Sequence, residues 1–436
     1  MDGLQRFLEE HCPLAGPALN NGDHVPILKY ADDVVLLSDS AEDLQALVSA
    51  TASFCSAVGL QISAAKSSVL AFFAETTPRP SIVAGGHDLQ TVTQTKYLGL
   101  LFHERNGVFP SFQPRCDKMK TAWAILQRQY AGMRCSVSLS LLLSLYDACV
   151  APVGSYGCEI WGFLSAAAGM RKKREGIVAL HLQQLRQIAG MRRNVPSQVV
   201  CLELMSPPLH KVWTTRMATF WNNTVALGQD SLFKLILLDS VIDAQMFQVV
   251  NWSSAFHEQL QSLQYSVVGG LSLPLIDTSC LSSLFDARFT AVFDGLDICP
   301  RLCNSAGAML CVYNAWFRQL PAANRRLLKK AFSFPLSLVR AFLRFRTGSH
   351  NLPSVTGRFS GTPRHLRKCL HCASGAVCDE YHLVFECPAL ADLRQEYSCL
   401  FGDHASTVRL FVWQEDTLRV MKFVQRALAC LTVESL

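Results

Sequence analysis

The sequence predicts an α+β region at the N-terminus, a mainly α-helical body, and a small Cys/His module near the C-terminus. Three observations predict it. Residues 25–37 (VPILKYADDVVLL) are two apolar, β-branched runs around a short polar break, the pattern of a strand, a tight turn and a return strand. From about residue 114 the apolar positions recur every three or four residues, which is the period of a helix. Between residues 369 and 387, three cysteines and one histidine fall at metal-ligand spacings.

A chain of 436 residues is too long for one ordinary core and suggests about two to four domains. Half of it is apolar and 17% is charged, which excludes a disordered or fibrous protein. The 17 cysteines are scattered and odd in number, and Asp2, Glu9 and Glu10 occupy a start where a secretory signal would be basic and then apolar. A reducing, intracellular setting, nuclear or cytoplasmic, is therefore expected. Residues 135–146 are apolar for only 12 positions before Asp147, whereas a membrane span needs about 20, so no membrane partner is expected.

The elements follow in order. A helix over residues 42–58 places Leu44, Leu47, Val48, Thr51, Phe54 and Cys55 on one side, with Ser40 as N-cap and Gly59 just past the end. Strands over 69–73 and 97–102 would complete a small sheet with the 25–37 hairpin. Met119, Ala122, Trp123, Leu126 and Tyr130 then form a helical stripe, and 138–149, 176–191 and 208–223 fit amphipathic helices. Pro152, Gly154, Pro196, Pro207 and Pro208 punctuate them. The expected divisions are 1–110, a helical region 114–227, a variable linker or helical region 228–297 marked by Gly269, Gly270 and Pro274, a basic helical segment 298–368, and a module with tail over 369–436.

The net charge of +6 has an uneven origin. Residues 298–378 hold 13 Lys and Arg and no Asp or Glu, so the remainder carries 27 basic against 34 acidic residues. Arg325, Arg326, Lys329 and Lys330, then Arg340, Arg344 and Arg346, then Arg358, Arg364, Arg367 and Lys368 make a long positive tract. Such a tract releases counterions on meeting phosphates and predicts salt-sensitive binding of nucleic acid. Phe332, Phe334, Phe342 and Phe345 are interleaved with it, placed either to stack on unpaired bases or to pack a core at helical spacing. The shorter run Arg171 to Arg174 is followed by Glu175 and reads as a solvated face.

Two groups of residues carry chemistry. Asp32 and Asp33 are adjacent carboxylates in an apolar hairpin, where they would repel one another unless neutralised, and a divalent cation is the usual neutraliser. Paired cations held by such aspartates serve phosphoryl transfer. The plain alternative is a solvated acidic turn. In the second group, Cys369-x2-Cys372, nine residues, His382, four residues and Cys387 supply three thiolates and an imidazole, the donor set of a tetrahedral structural zinc. Cys378 lies inside the loop as a substitute ligand, His371 should point outward from the knuckle, and unliganded buried thiols are the alternative.

Tyr30-Ala31-Asp32-Asp33 at a hairpin crest resembles the catalytic box of reverse transcriptases, and the flanking residues resemble those of non-LTR retrotransposons. Gly59-Leu60-Gln61-Ile62 with Lys66, then Lys96-Tyr97-Leu98-Gly99, resemble the next two blocks of that family, in family order. The resemblance implies a polymerase palm over residues 1–110, with Asp32 and Asp33 on magnesium. It also implies Tyr30 and Lys66 near the nucleotide, and Lys96, Tyr97 and Gly99 positioning the primer end. It continues weakly through Tyr156, Gly157, Glu159, Trp161, Glu203, Pro207, Leu209 and Trp213, a thumb-like region. Arg344, Arg346, Gly348 and His350 before the Cys/His cluster, with Pro388 and Arg394 after it, resemble the terminal zinc module of plant-type elements.

An RNA template and a DNA primer or target are the partners implied, with Arg340, Arg344, Arg346, Arg364, Arg367 and Lys368 as contacts. The family brings a further metal-binding Asp from an upstream strand. Only Asp2 and Asp23 precede Tyr30 here, neither in a strand-like run, so the palm is expected to be partial and inactive alone. A non-catalytic nucleic-acid-binding protein that uses the basic zinc module is the alternative, and a decayed gene product is a third reading.

Overall fold

Residues 3–72, 81–132, 137–163, 168–266, 273–295, 331–402 and 416–432 are described by a computed structural model of the chain. Helix α1 (Leu4–His11) buries Leu4 and Leu8. Strands β1 (Ile27–Tyr30) and β2 (Asp33–Leu36) pair antiparallel with Tyr30 opposite Asp33, so Ala31 and Asp32 alone make the turn. The expected helix is α2 (Ala41–Ala57), whose start is fixed by the Ser40 hydroxyl accepting from the Asp43 N–H at 3.0 Å. Gly59, at φ +74, follows its end. Leu47 on α2 joins Leu4, Leu8, Ala15 and Ile27 in one core cluster. Val48, on the same helix, joins Val69, Ile82 and Ala84 in another.

The remaining strands are short: β3 (Ser68–Val69), β4 (Val83–Ala84), β5 (His87–Asp88), β6 (Gln90–Thr91), β7 (Gln94–Tyr97) and β8 (Leu100–His103). They pair as β3 with β6 in parallel, and as antiparallel β4–β5 and β7–β8. The single small sheet expected from the sequence is therefore corrected to separate two-stranded ladders among the described residues. The expected strand 97–102 is bent in the middle: Leu98 and Gly99 lie at φ +44 and +81, the signs required at both central positions of a tight hairpin turn. The expected strand 69–73 keeps only Val69 in the ladder, and Phe73 lies outside the described residues.

From there the chain is mainly helical, as the sequence predicts: α3 (Phe112–Gly132), α4 (Leu139–Cys149), α5 (Ala151–Ser155), α6 (Cys158–Trp161), α7 (Ala168–Ala189), α8 (Ser197–Leu204) and α9 (Leu209–Val225). Ser138 caps α4 by accepting from the Leu141 N–H. Residues 228–297 contain α10 (Leu232–Met246), α11 (Trp252–Ser262) and α12 (Thr278–Gly295). Gly269, Gly270 and residues 298–330, with Arg325, Arg326, Lys329 and Lys330, lie outside the described residues. Then come α13 (Leu336–Arg346), α14 (Pro353–Thr356), a π-helical turn over His382–Glu386, α15 (Ala391–Glu396) and α16 (Thr417–Thr432). No described helix is long and apolar enough to cross a membrane.

Two compact units result, each assembled from three stretches of chain. The first comprises Met1–Arg115, Gly157–Arg174 and Trp213–Leu281. Its helical part is packed by aromatics: Trp161 meets Phe112 and Trp213 edge-on at 5.0 and 5.1 Å, and Trp252 stacks on Trp221. The residues around Tyr156 that resemble a thumb are in large part packing positions, since Trp161 and Trp213 are buried and the Glu159 carbonyl accepts from the Trp252 indole. Gly157, at φ +71, brings its backbone against the Leu100 side chain.

The second unit comprises Cys116–Tyr156, Glu175–Val212 and Ser282–Leu436. A buried polar trio on α4 and α7 sits in its interior. The Tyr146 hydroxyl lies 2.8 Å from His181 Nδ1 and donates to Gln184 Oε1 at 3.0 Å. Burial lowers the His181 pKa to about 4, below its ordinary value. Because the unfolded chain binds that proton more readily, stability should be fully present above about pH 6.5 and fall as the pH drops towards 4. The expected result is a urea midpoint that declines between pH 6.5 and 5, with a shallower decline in His181→Leu whatever that variant's absolute stability.

Candidate functional site

The ligand atoms of Cys369, Cys372, His382 and Cys387 all lie within 4.8 Å of one another, and among the described residues they form a group that could hold a metal ion. Local structure brings them together. A bridge between Lys368 and Val377, the Cys369 N–H donating to the Ala376 carbonyl at 3.0 Å, and the Cys378 N–H donating to the Arg367 carbonyl at 2.9 Å close the knuckle that carries the first two cysteines. The π-helical turn presents His382 and runs directly into Cys387, whose N–H returns to the His382 carbonyl at 2.8 Å.

The spacings suit zinc. Zn–S bonds of about 2.3 Å and Zn–N bonds of about 2.0 Å in a tetrahedron place donors roughly 3.5–3.8 Å apart. Cys369 Sγ and Cys387 Sγ are 3.9 Å apart, and Cys372 Sγ lies 3.4 Å from His382 Nε2. His382 thus faces the sulfurs with Nε2, while its Nδ1 meets Glu386 Oε2 at 3.2 Å, the carboxylate partner that fixes a metal-ligating imidazole. Burial alone would raise the Cys372 thiol, but hydrogen bonds from Ser374, His382 and Cys369 hold it down to about 6, towards the thiolate that a metal requires. Burial pushes the Cys387 thiol up to about 12. Four protein donors leave no open position, so the centre they would hold is structural.

The two other candidates within the loop stand differently. His371 points away, its Nε2 3.1 Å from the Leu431 carbonyl. Cys378 is fully buried and raised by burial and by Cys369, but its sulfur is outside the four-ligand group. Around the centre, the residues that carried the zinc-module resemblance do structural work. His350 Nε2 and Glu380 Oε1 are 2.8 Å apart in the interior, and Arg394 donates to the Cys387 carbonyl at 2.6 Å.

The expected nucleic-acid contacts divide. Arg346 is fully buried and gives Nε and Nη2 to the two carboxylate oxygens of Glu203 at 2.7 and 2.8 Å. Arg367 is buried and donates to the Ser354 and Thr362 carbonyls. The expectation that these two meet phosphate is corrected, because a guanidinium enclosed by its own chain cannot reach one. Phe332, Phe342 and Phe345 are likewise core, not base platforms. Arg364 is partly exposed and pairs with Asp379 at 2.8 Å. Arg340 and Arg344 donate to the Ile188 and Gly190 carbonyls at the end of α7, with Arg344 exposed, and Lys368 is exposed. Residues that the sequence did not single out stand beside them: Arg192 lies 5.1 Å from the centre of the Phe359 ring.

At the N-terminal hairpin, Asp32 occupies the two-residue turn and Asp33 opens β2, both exposed. Ala31 is held at φ +54, a conformation costly for a residue with a Cβ. Tyr30 is 64% exposed at the end of β1. Tyr97 on β7 has its phenol raised first by burial and then by Asp33, so the β7–β8 hairpin stands close enough to the Asp33 carboxylate to feel its charge. Lys96 is exposed on β7, and Gly99 forms the turn after it. Lys66 ends a short 3-10 helix just before β3, and Ser68 of β3 meets Thr95 of β7 at 3.4 Å.

Residues 1–102 match the family described as reverse transcriptase (RNA-dependent DNA polymerase). The chain is also 26% identical over 176 residues to an uncharacterized transposon-derived protein of Caenorhabditis elegans. That match covers 39% of this chain and spans 59% of the length of the relative. Over residues 1–102 the chain is thus similar to reverse transcriptases, and a stretch of it is similar to a transposon-derived protein.

Proposed function

We propose that the chain is the C-terminal portion of a retrotransposon reverse transcriptase that binds nucleic acid but does not polymerise nucleotides by itself. The observation that carries the reading is the Tyr30-Ala31-Asp32-Asp33 turn, set within the region of family sequence and close to Tyr97. In the complete activity Asp32 and Asp33 would hold magnesium, which supplies charge stabilisation for nucleotidyl transfer. Tyr30, Lys66, Lys96, Tyr97 and Gly99 would bind and orient nucleotide and primer. The Cys369, Cys372, His382 and Cys387 module, carrying structural zinc, would hold RNA template or DNA target beside the basic surface of α13. The work is intracellular, nuclear or cytoplasmic, where thiol ligands stay reduced.

Cys369, Cys372, His382 and Cys387 make a complete donor set, whereas the hairpin offers the pair Asp32 and Asp33. The same contrast, two palm carboxylates against a complete Cys/His set, favours a second reading, a non-catalytic nucleic-acid-binding protein. Primer extension on a primed RNA with deoxynucleotides and magnesium separates the possibilities. No extension, together with RNA binding that weakens linearly with the logarithm of salt, is the expected result. Magnesium-dependent synthesis that disappears in Asp32→Asn would overturn the proposed inactivity, and salt-independent or absent binding would overturn the nucleic-acid role.

A further inference from the structure

Five guanidinium groups gather where α7 ends in the second unit. Gly190, at φ +70, turns the chain so closely over α13 that a Cβ there would lie 3.2 Å from Arg344 Nε. The carbonyls of the last turn of α7 take hydrogen bonds from Arg340 and Arg344. Two residues on, Arg192 reaches the Ser349 and His350 carbonyls and Asn351 Oδ1 at 3.2, 3.1 and 2.8 Å. Gly357 brings Arg367 in from the other side, since a Cβ there would fall 2.8 Å from its Cγ. Arg358 donates to the Val355 carbonyl at 3.2 Å.

Arg192, Arg340 and Arg344 are held next to one another by neutral acceptors. Arg192 is lowered by burial and then by Arg344, and Arg358 by burial and then by Arg192 and Arg367. Glu380, which acts on Arg358, is already engaged by His350. Arg340 and Arg344, on a stretch of sequence with no acid from residue 298 to 378, and Arg192 bring like charges together on neutral oxygens, the electrostatics of an anion seat.

One exposed aromatic stands inside the cluster. The Phe359 ring is 67% exposed, with the Arg192 guanidinium 5.1 Å and the Arg358 guanidinium 5.9 Å from its centre. The ring is held by cation–π attraction to both guanidiniums, while most of its surface stays in water. A planar ring joined to planar guanidiniums matches the face of an unpaired base, while the charges match the adjoining phosphate.

We propose that Phe359, Arg192, Arg344 and Arg358 form a seat for single-stranded nucleic acid, stacking one unpaired base on the ring while guanidiniums hold the neighbouring phosphate. The seat rests on the reading of this chain as a nucleic-acid-binding protein, and it locates that binding away from the two buried arginines. A base paired within a duplex cannot offer its face, so the seat discriminates strandedness rather than sequence.

The test uses the full zinc-loaded chain and fluorescence anisotropy with four probes: a short poly-U RNA, the matching single-stranded DNA, an abasic strand of equal length, and a duplex. Phe359→Ala is expected to weaken binding of the base-bearing single strands by about ten-fold, leaving the abasic strand and duplex unchanged, and Phe359→Trp is expected to restore it. Arg344→Gln is expected to weaken all four and to lower the salt slope by about one. Loss confined to RNA identifies RNA as the occupant, and equal loss on RNA and DNA identifies the base face as the common determinant. Wild-type protein that binds the probes while Phe359→Ala leaves their ratios unchanged overturns the seat alone. Wild-type protein that binds none of them overturns the nucleic-acid reading along with it. Since Phe359 is mostly exposed, unchanged circular dichroism in Phe359→Ala is expected and separates lost contact from lost fold.

Discussion

Chelation of zinc, or replacement of Cys369 and Cys372 by serine, is expected to release residues 350–402 from hydrogen-exchange protection while the Trp161–Trp213 cluster stays protected. Structural zinc in small modules contributes about 10–16 kcal/mol of apparent binding free energy, whereas whole domains are stable by about 5–15 kcal/mol. Little else can hold the knuckle. Between Lys368 and Val377 its backbone has one bridge, and three of its four ligands are sulfurs, of which Cys369 and Cys387 would otherwise sit as buried thiols. Hydrogen-exchange mass spectrometry before and after chelation reads the outcome by segment. Protection of residues 369–387 that survives metal removal would show that the thiols are ordinary core residues. Glu386→Gln should give a milder effect, since it removes only the carboxylate that orients His382, and zinc affinity is expected to fall by about 10- to 100-fold.

The second large effect belongs to the Glu203–Arg346 pair. Both side chains are essentially inaccessible, and two parallel hydrogen bonds join α8 to α13. Taking Arg346 to Met would leave the Glu203 carboxylate buried without its counter-charge, at an expected cost of about 3–5 kcal/mol. Adding Glu203→Leu to Arg346→Met removes the stranded charge and should recover most of that loss. Urea unfolding followed within the second unit checks both, and a single variant that costs less than about 1 kcal/mol would mean the pair is not held dry. If nucleic acid were the true partner of Arg346, the single variant would instead weaken RNA binding without altering stability.

Parts of this architecture were readable because local chemistry sets them. Ser40 followed by Asp43 fixes the start of α2, and Cys369-x2-Cys372 declares its own turn. The Asp32-Asp33 hairpin was legible from two β-branched runs. Other parts depend on depth, which formal charge does not encode: Arg344 and Arg346 are neighbours in sequence, yet one is exposed and the other is in the core. Over residues 228–297 the sequence leaves linker and helix both open, because Leu232, Phe233, Leu235, Ile236, Leu237 and Leu238 in α10 are apolar all round and show no stripe. Phe359 and Arg192 were invisible as a pair because only tertiary folding brings them together.

The threefold division of each compact unit has a consequence for synthesis on the ribosome. The first unit draws on Met1–Arg115 but is completed only by Trp213–Leu281. At about 5–20 residues per second, the nascent hairpin of Asp32 and Asp33 waits several seconds or more for its remaining partners. Its short two-stranded ladders are marginal on their own and expose unpaired edges meanwhile. Expression of residues 1–110 by themselves would make that transient state permanent, so chaperone dependence, and aggregation of such a fragment, are built into the order in which the chain is made.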